Sequence, residues 1–303
     1  MVRFFYIYKK KELIWILKIL IKAALWFFCS DISVNNKSLL KTNGPLLIIA
    51  NHPNSFLDAI IIGTQYKRRV YFLARGDAFI KKHHRFLLGL LNMIPVHRLR
   101  EGKEFLHLNE FTFNKSARLL KKGEAVLVFI EGTCVNSHEL QPFRKGTARI
   151  LETLHKEGVC PVIHIAGIGY NQLRGIGKKI NISIQRLIFN EKIITPKDRV
   201  LFNKLSFEKL NQNILPSSLP TRIYKTPFYY FHLPYYKLIE KWADKKTKGT
   251  VFFDSVLFSL LLFTYPIFLI LFVLILTIFK IPLPIIFITL LCIIIPSKYT
   301  VAV

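Results

Sequence analysis

The stretch that most limits what this chain can fold into is Val256–Phe279, 24 consecutive residues without a charged side chain. A helix of that length is long enough to cross the hydrocarbon core of a bilayer. Basic residues mark the cytoplasmic flank of a membrane span. Here the preceding residues include Lys241, Lys245, Lys246 and Lys248. The pattern predicts a span that starts on the cytoplasmic side, and the alternative is a buried helical hairpin in a soluble protein.

A second apolar run, Ile285–Ile295, follows a turn that contains Lys280, Pro282 and Pro284. Its length is short for a complete membrane crossing. A tight transmembrane hairpin and a re-entrant segment are therefore both open, and we expect a hairpin over 251–303.

The N-terminal residues Leu13–Phe28 are apolar except for Lys18 and Lys22, which lie four positions apart and share one face of a helix. Trp15 and Trp26 suit the headgroup level of a membrane. We predict an amphipathic interfacial helix within residues 1–35, against the alternative of a core-packing helix. No small-residue cleavage site follows, so a removed signal peptide is not expected.

Composition supports contact with a membrane surface. Lys plus Arg outnumber Asp plus Glu by 44 to 18, for a net charge of +26. The mean hydropathy is nevertheless positive, at +0.33. A chain that is both basic and apolar suits an anionic lipid surface. Nucleic acid would explain the charge and leave the apolar excess unexplained.

The four cysteines are widely scattered, with no pair at the spacing of a zinc site. They indicate neither a metal centre nor a disulfide framework. We infer that the thiols are reduced and hence that the domain is exposed to the cytosol.

Between residues 36 and 200 short apolar runs alternate with amphipathic stretches, which predicts an α/β domain with a mixed sheet flanked by helices. The expected strands are Leu46–Ala50, Val70–Ala74, Met93–Val96, Ala125–Ile130 and Val159–Ile165, and the expected helices are Leu106–Lys122 and Lys145–Lys156. Residues 201–250, rich in proline, tyrosine and lysine, are expected to be an irregular membrane-proximal segment.

Residues 48–60, IIANHPNSFLDAI, place polar groups where a predicted strand ends. His52 would follow the carboxyl end of that strand, where open α/β sheets bind ligands. Asp58 can reach the imidazole if a helix starts between the two residues. A carboxylate on one ring nitrogen leaves the other free to act as a base. The alternative is a buried, satisfied polar pair.

Two further stretches carry polar groups at strand ends. Glu131, with Gly132 and Thr133, closes the apolar run LVFIEGT, and Lys145 precedes a helix whose amide groups favour phosphate. The short strand in NMIPVHR delivers Arg98, a side chain suited to clamp a phosphate. A surface loop and an exposed arginine are the alternatives.

Taken in order, the blocks NHPNSFLD, IPVHR, FIEGT…FRKGTARI and CPVIHIAG resemble the glycerolipid acyltransferase superfamily over roughly residues 40–190. The resemblance implies that His52 deprotonates the acceptor hydroxyl and that Asp58 orients it. It also implies that Arg98 contacts phosphate. Arg75 more loosely resembles the basic residue often found between the first two blocks and is a candidate substrate contact. In the same way Glu131, Gly132 and Thr133 would help to bind a glycerol-phosphate acceptor, and Pro161 belongs to the block associated with the acyl group.

The sequence departs from the family pattern in two blocks. Five residues separate His52 from Asp58, where four is usual in the family. The third block has Ile130 in place of proline and Cys134 in place of arginine. Arg144 and Lys145 are the candidates to supply the missing phosphate contact.

The resemblance implies a membrane-bound O-acyltransferase of phospholipid biosynthesis on the cytoplasmic face, with no cofactor or metal. Its substrates would be an acyl thioester, acyl-CoA or acyl-carrier protein, and a glycerol-phosphate acceptor, with 1-acyl-glycerol 3-phosphate favoured over glycerol 3-phosphate. Other lysolipid acceptors stay open. The alternatives are a non-catalytic basic membrane-binding protein and, with less support, a nucleic-acid binder.

Overall fold

The computed structural model describes residues 16–98, 102–189, 191–215 and 227–300. Trp15 of the predicted interfacial helix lies outside them. The described residues are centred on a seven-stranded sheet in the order β1-β7-β6-β2-β5-β3-β4. Neighbouring strands run parallel except for the antiparallel pair β6–β7, so the predicted mixed α/β sheet is confirmed. The strands are β1 (Cys29–Asn35), β2 (Leu46–Ala50), β3 (Val70–Arg75), β4 (Met93–Val96), β5 (Ala125–Phe129), β6 (Val162–Tyr170) and β7 (Lys178–Leu187).

Helices cover both faces of the sheet. They are α1 (16–28), α2 (Ser55–Gln65), α3 (Lys82–Leu90), α4 (Leu108–Lys121), α5 (Gly146–Lys156), α6 (Pro196–Asn213), α7 (Pro227–Thr247), α8 (Phe253–Ile278) and α9 (Leu283–Thr300).

Strand β2, with the sequence LLIIA, is buried along its whole length and anchors the core. Leu46, Ile48 and Ala50 pack with apolar residues of α2 and the start of α8. Leu47 and Ile49 face the other way, toward α4, α5 and α6. A strand that is covered on both faces has a continuous run of apolar residues, and for that reason the sequence predicted β2 well.

Several predicted elements are confirmed and two strands were missed. β2 and β4 have the predicted bounds, and α4 and α5 lie within two residues of theirs. Helix α1 ends at residue 28, where the predicted apolar stretch ends, but the predicted segment boundary at 35 is wrong because residues 29–35 form strand β1 of the sheet. β7 was missed although Ile180, Ile182 and Ile184 alternate with polar residues, which is the ordinary strand pattern.

The prediction of an irregular segment over 201–250 is wrong where the structure describes it, because α6 and α7 occupy most of it. Proline begins α6, a position at which its missing N–H costs nothing. At α6, Thr195 and Asp198 form a reciprocal capping box. Pro234 lies inside α7 and does not end it.

Helix α8 is 26 residues long, about 39 Å at 1.5 Å per residue. Within the described ranges it is the one helix that is long and apolar enough to cross a membrane. Its first turns are buried against the domain, whereas Ile270, Leu274 and Ile278 farther along are at least half exposed. A short turn with Lys280 at φ 56° leads from α8 into α9, and the predicted membrane hairpin over 251–303 stays a prediction.

Candidate active site

His52 and Asp58 are in direct contact. His52 Nδ1 lies 2.9 Å from Asp58 Oδ2, and the carboxylate is fully buried while the imidazole is 18% exposed. Helix α2 starts between them, at Ser55, whose φ is 52°. The left-handed turn takes up the extra residue of this chain, so five intervening residues still bring the carboxylate to the ring.

Two further donors fix the Asp58 carboxylate. The Asn54 backbone N–H donates to Oδ2 at 2.7 Å, and the Tyr170 hydroxyl donates to Oδ1 at 2.6 Å. Burial and the facing carboxylate raise the pKa of Tyr170 well above its ordinary value, so this group stays a protonated donor. With its buried oxygens bonded to donors, Asp58 is held as an acceptor for the imidazole N–H.

The imidazole of His52 is held flat against the ring of Phe129, with centroids 3.8 Å apart and planes 8° from parallel. No hydrogen bond to Nε2 exists among the described residues. The ring therefore has one nitrogen bound to the carboxylate and one nitrogen open for a substrate proton, which is the arrangement of a general base.

Glu131 ties two loops together. Its Oε1 accepts from the His52 backbone N–H at 2.9 Å, and its Oε2 accepts from the Gln141 N–H at 3.2 Å. The side chain is buried, and burial raises the pKa of Glu131 above its ordinary value. These contacts position the backbone of His52, and the implied contact of Glu131 with substrate stays a prediction.

Cys134, which stands where the family pattern has arginine, faces inward. Its Sγ accepts from the Ser55 N–H at 3.0 Å. Burial raises the pKa of this thiol to about 12, so it is neutral at physiological pH. Cys134 therefore fastens the third block to the start of α2 and leaves phosphate contact to other residues.

Arg144 lies over Gly132. Gly132 has φ 65°, and a Cβ there would approach Arg144 Cγ to 2.7 Å, so this position suits glycine in both respects. Arg144 and Lys145 are exposed just before α5, and Thr133 is half-buried. The buried hydroxyl of Thr147, in the first turn of α5, has no hydrogen-bond partner among the described residues.

Arg75 and Arg98 come from neighbouring strands and meet at Asp77. Arg75 forms a bidentate hydrogen-bonded pair with Asp77, and an Arg98 nitrogen lies 4.0 Å from the same carboxylate. The hydrogen bonds and charge of Arg75 hold the pKa of Asp77 below its ordinary value. The two arginines thus form one cationic group around the Asp77 carboxylate.

The predicted residues share one edge of the sheet. His52 follows β2, Glu131 follows β5, Arg75 ends β3 and Arg98 follows β4, and these four strands are parallel neighbours in that order. Three steps of about 4.8 Å separate β2 from β4, or about 14 Å. The base and the arginine pair therefore lie at opposite ends of one polar surface at the carboxyl ends of these strands.

The sequence predictions missed Asn54 and Tyr170, which hold Asp58. Tyr170 ends a strand that runs five residues beyond its predicted end, and continuing the apolar pattern through Ile168 would have reached it. A cavity of about 250 Å³ opens beside the turn that carries His52, and it is lined in part by Asn51, Pro53 and Tyr170. Within the described ranges, no cluster of three metal-ligating side chains is present.

Comparison with known proteins gives consistent matches. Residues 31–166 match the Acyltransferase family. The chain is 27% identical over 180 residues to the chloroplastic 1-acyl-sn-glycerol-3-phosphate acyltransferase BAT2 of Brassica napus, covering 58% of this chain and 48% of that protein. It is 24% identical over 210 residues to a probable 1-acyl-sn-glycerol-3-phosphate acyltransferase of Mycoplasma genitalium, covering 63% and 71%.

The match therefore spans about half the length of the Brassica protein. Among solved structures, the LPA acyltransferase PlsC from Thermotoga maritima aligns with a TM-score of 0.47 and 16% identity. The alignment covers 68% of this chain and 80% of that one.

Proposed function

We propose that this chain is a member of the glycerolipid acyltransferase superfamily and that it transfers a fatty acyl group from an acyl thioester to a hydroxyl of a glycerol-phosphate acceptor. The favoured acceptor is 1-acyl-glycerol 3-phosphate, the substrate in the names of both relatives. The observation that carries the proposal is the His52–Asp58 pair, with Asp58 saturated by donors and Nε2 open.

The reaction follows from this geometry. His52 Nε2 takes the proton of the acceptor hydroxyl as its oxygen attacks the thioester carbonyl. Asp58 stabilises the imidazolium that forms, and stacking on Phe129 keeps the ring in place. When the tetrahedral intermediate collapses, the carbon–sulfur bond breaks and the thiolate takes the proton from His52. The products are an ester and a free thiol.

The acceptor phosphate has two candidate partners. Arg75 ends β3, two strands from β2, and Arg98 follows β4, three strands from β2, whereas Arg144 and Lys145 lie on the loop that follows Glu131. The first turn of α5 adds backbone amides, which favour an anion at a helix N-terminus. Either group would hold the phosphate and so restrain the hydroxyl next to the base.

We further propose that α8 inserts into the membrane with the catalytic domain on the cytoplasmic face. The exposed apolar surface of α8 and the lysines at the end of α7 support this orientation. Exposed Cys160 on the domain offers a direct test. A membrane-impermeant maleimide should label it in inside-out vesicles and spare it in right-side-out ones, and the reverse pattern would contradict the orientation.

The activity is tested with the full-length protein in vesicles that contain anionic lipid. Acyl-CoA or acyl-carrier protein is supplied with 1-acyl-glycerol 3-phosphate, glycerol 3-phosphate or a lysophospholipid. Free thiol is followed over time, and the product is identified by mass spectrometry. We expect acceptor-dependent thiol release with diacylglycerol 3-phosphate as product. Membrane binding without acceptor-dependent release from either donor would instead identify a non-catalytic binding protein.

A further inference from the structure

Helix α8 carries one acidic residue, Asp254, and this residue is buried inside the catalytic domain. Asp254 is 2% exposed and lies in the first turn of the helix. Beyond its buried first turns, α8 is the apolar segment that would enter the membrane. A charged group at this junction is costly to bury unless it is paired, so its partners show what it does.

Among the described residues, the hydrogen-bond partners of the Asp254 carboxylate are all donors. Oδ2 accepts from Lys178 Nζ at 2.7 Å and from Asn54 Nδ2 at 2.7 Å, and Oδ1 accepts from the Gly175 N–H at 2.8 Å. Lys178 is itself fully buried, and it also donates to the Gln172 carbonyl. An amide in place of Asp254 would turn an N–H₂ group toward a donor, so the site requires a carboxylate.

Asn54 connects this buried group to the base. Its side chain donates to Asp254, and its backbone N–H donates to Asp58 at 2.7 Å. Leu57, three residues after Asn54, donates its backbone N–H to Ser255 Oγ at 3.3 Å. Two successive residues of α8 therefore hold the catalytic turn, residues 51–55, and the helix that follows it.

We propose that Asp254 is a positioning residue that fixes the catalytic turn to the membrane helix through Asn54. The proposal rests on the function proposed above and extends it, because it makes the first turn of α8 part of the catalytic framework. Loss of the Asp254 carboxylate would leave the Asn54 side chain with its bond to the Leu173 carbonyl alone, at 3.0 Å. The backbone of Asn54 would then hold the Asp58 carboxylate less firmly in its orientation toward His52.

The test compares Asp254→Asn with a matched control, Asp244→Asn. Asp244 lies on α7 and pairs with Arg174, in the same loop as Gly175, but this pair is exposed and does not contact Asn54. The full-length variants are measured in vesicles for kcat and KM per folded molecule. Hydrogen exchange of the peptide that covers residues 51–58 is measured by mass spectrometry on the same samples.

We expect Asp254→Asn to lower kcat about tenfold with KM within twofold, and to speed exchange of that peptide, while Asp244→Asn changes neither. Unchanged exchange and kcat in Asp254→Asn, or equal changes in both variants, would overturn the proposal. If Asp254→Asn does not fold, Asn54→Ala decides the question, because it breaks the same link and leaves the Lys178 pair intact. A wild-type protein without turnover refutes the proposed function alone, since the exchange comparison still tests the link.

Discussion

Replacing Tyr170 by phenylalanine tests whether the donors around Asp58 matter for turnover. The substitution removes one hydroxyl, which donates to Asp58 Oδ1 at 2.6 Å in a site that is 3% exposed. A hydrogen bond to a charged group contributes about 1.5–3 kcal/mol. If most of that energy orients the base, kcat falls about 10- to 100-fold, since each 1.36 kcal/mol is tenfold in rate.

The assay is thiol release from acyl-CoA at saturating acceptor, with the thermal midpoint of each variant measured in parallel. Tyr66→Phe is the matched control, because the Tyr66 hydroxyl is also buried and hydrogen-bonds with His164, away from Asp58. We expect both variants to lose stability and Tyr170→Phe alone to lose kcat. A kcat within twofold of wild type in Tyr170→Phe, or an equal loss in both variants, would refute the reasoning.

Four other substitutions, at Glu131, Gly132, Arg144 and His164, test separate parts of the account. Glu131→Gln keeps one acceptor for two backbone N–H groups, so we expect kcat to fall about tenfold with the acceptor KM little changed; a normal kcat would contradict this. Gly132→Ala adds a Cβ 2.7 Å from Arg144 Cγ, and we expect a higher acceptor KM that Arg144→Ala reproduces; an unchanged KM in both would exclude Arg144 from phosphate binding. Burial lowers the pKa of His164 to about 4, below its ordinary 6.5. The folded state then binds fewer protons than the unfolded state, and stability falls by up to about 3 kcal/mol as pH drops from 6.5 to 4. His164→Gln should reduce the dependence of the thermal midpoint on pH between 6.5 and 4. An unchanged pH dependence in this variant would show that other groups cause it.

The sequence predicted best where one local rule was sufficient. β2 is a continuous apolar run, and His52 follows it at the strand end where ligands bind. The position of Asp58 depended on a helix start between the two residues, and Ser55 provides it. The α/β alternation and the long apolar helix likewise follow from periodicity and length.

The missed features depend on contacts between residues distant in sequence. Tyr170 reaches Asp58 from 112 positions away, and Asp254 reaches Asn54 from 200. No local pattern marks such pairs. The irregular segment predicted over 201–250 failed for another reason, because proline counted as a helix breaker, whereas Pro196 begins α6 and Pro234 lies inside α7.

The central claim is that His52 is the base, and the single-turnover rate of His52→Ala tests it most directly. Wild type and variant are reconstituted in vesicles with acyl-CoA and 1-acyl-glycerol 3-phosphate, and the product is quenched and quantified by mass spectrometry. Loss of a general base costs about 10²- to 10⁴-fold. We predict a rate at least about 100-fold below wild type in a variant that folds and stays bound to the membrane, and a rate equal to wild type would contradict the account.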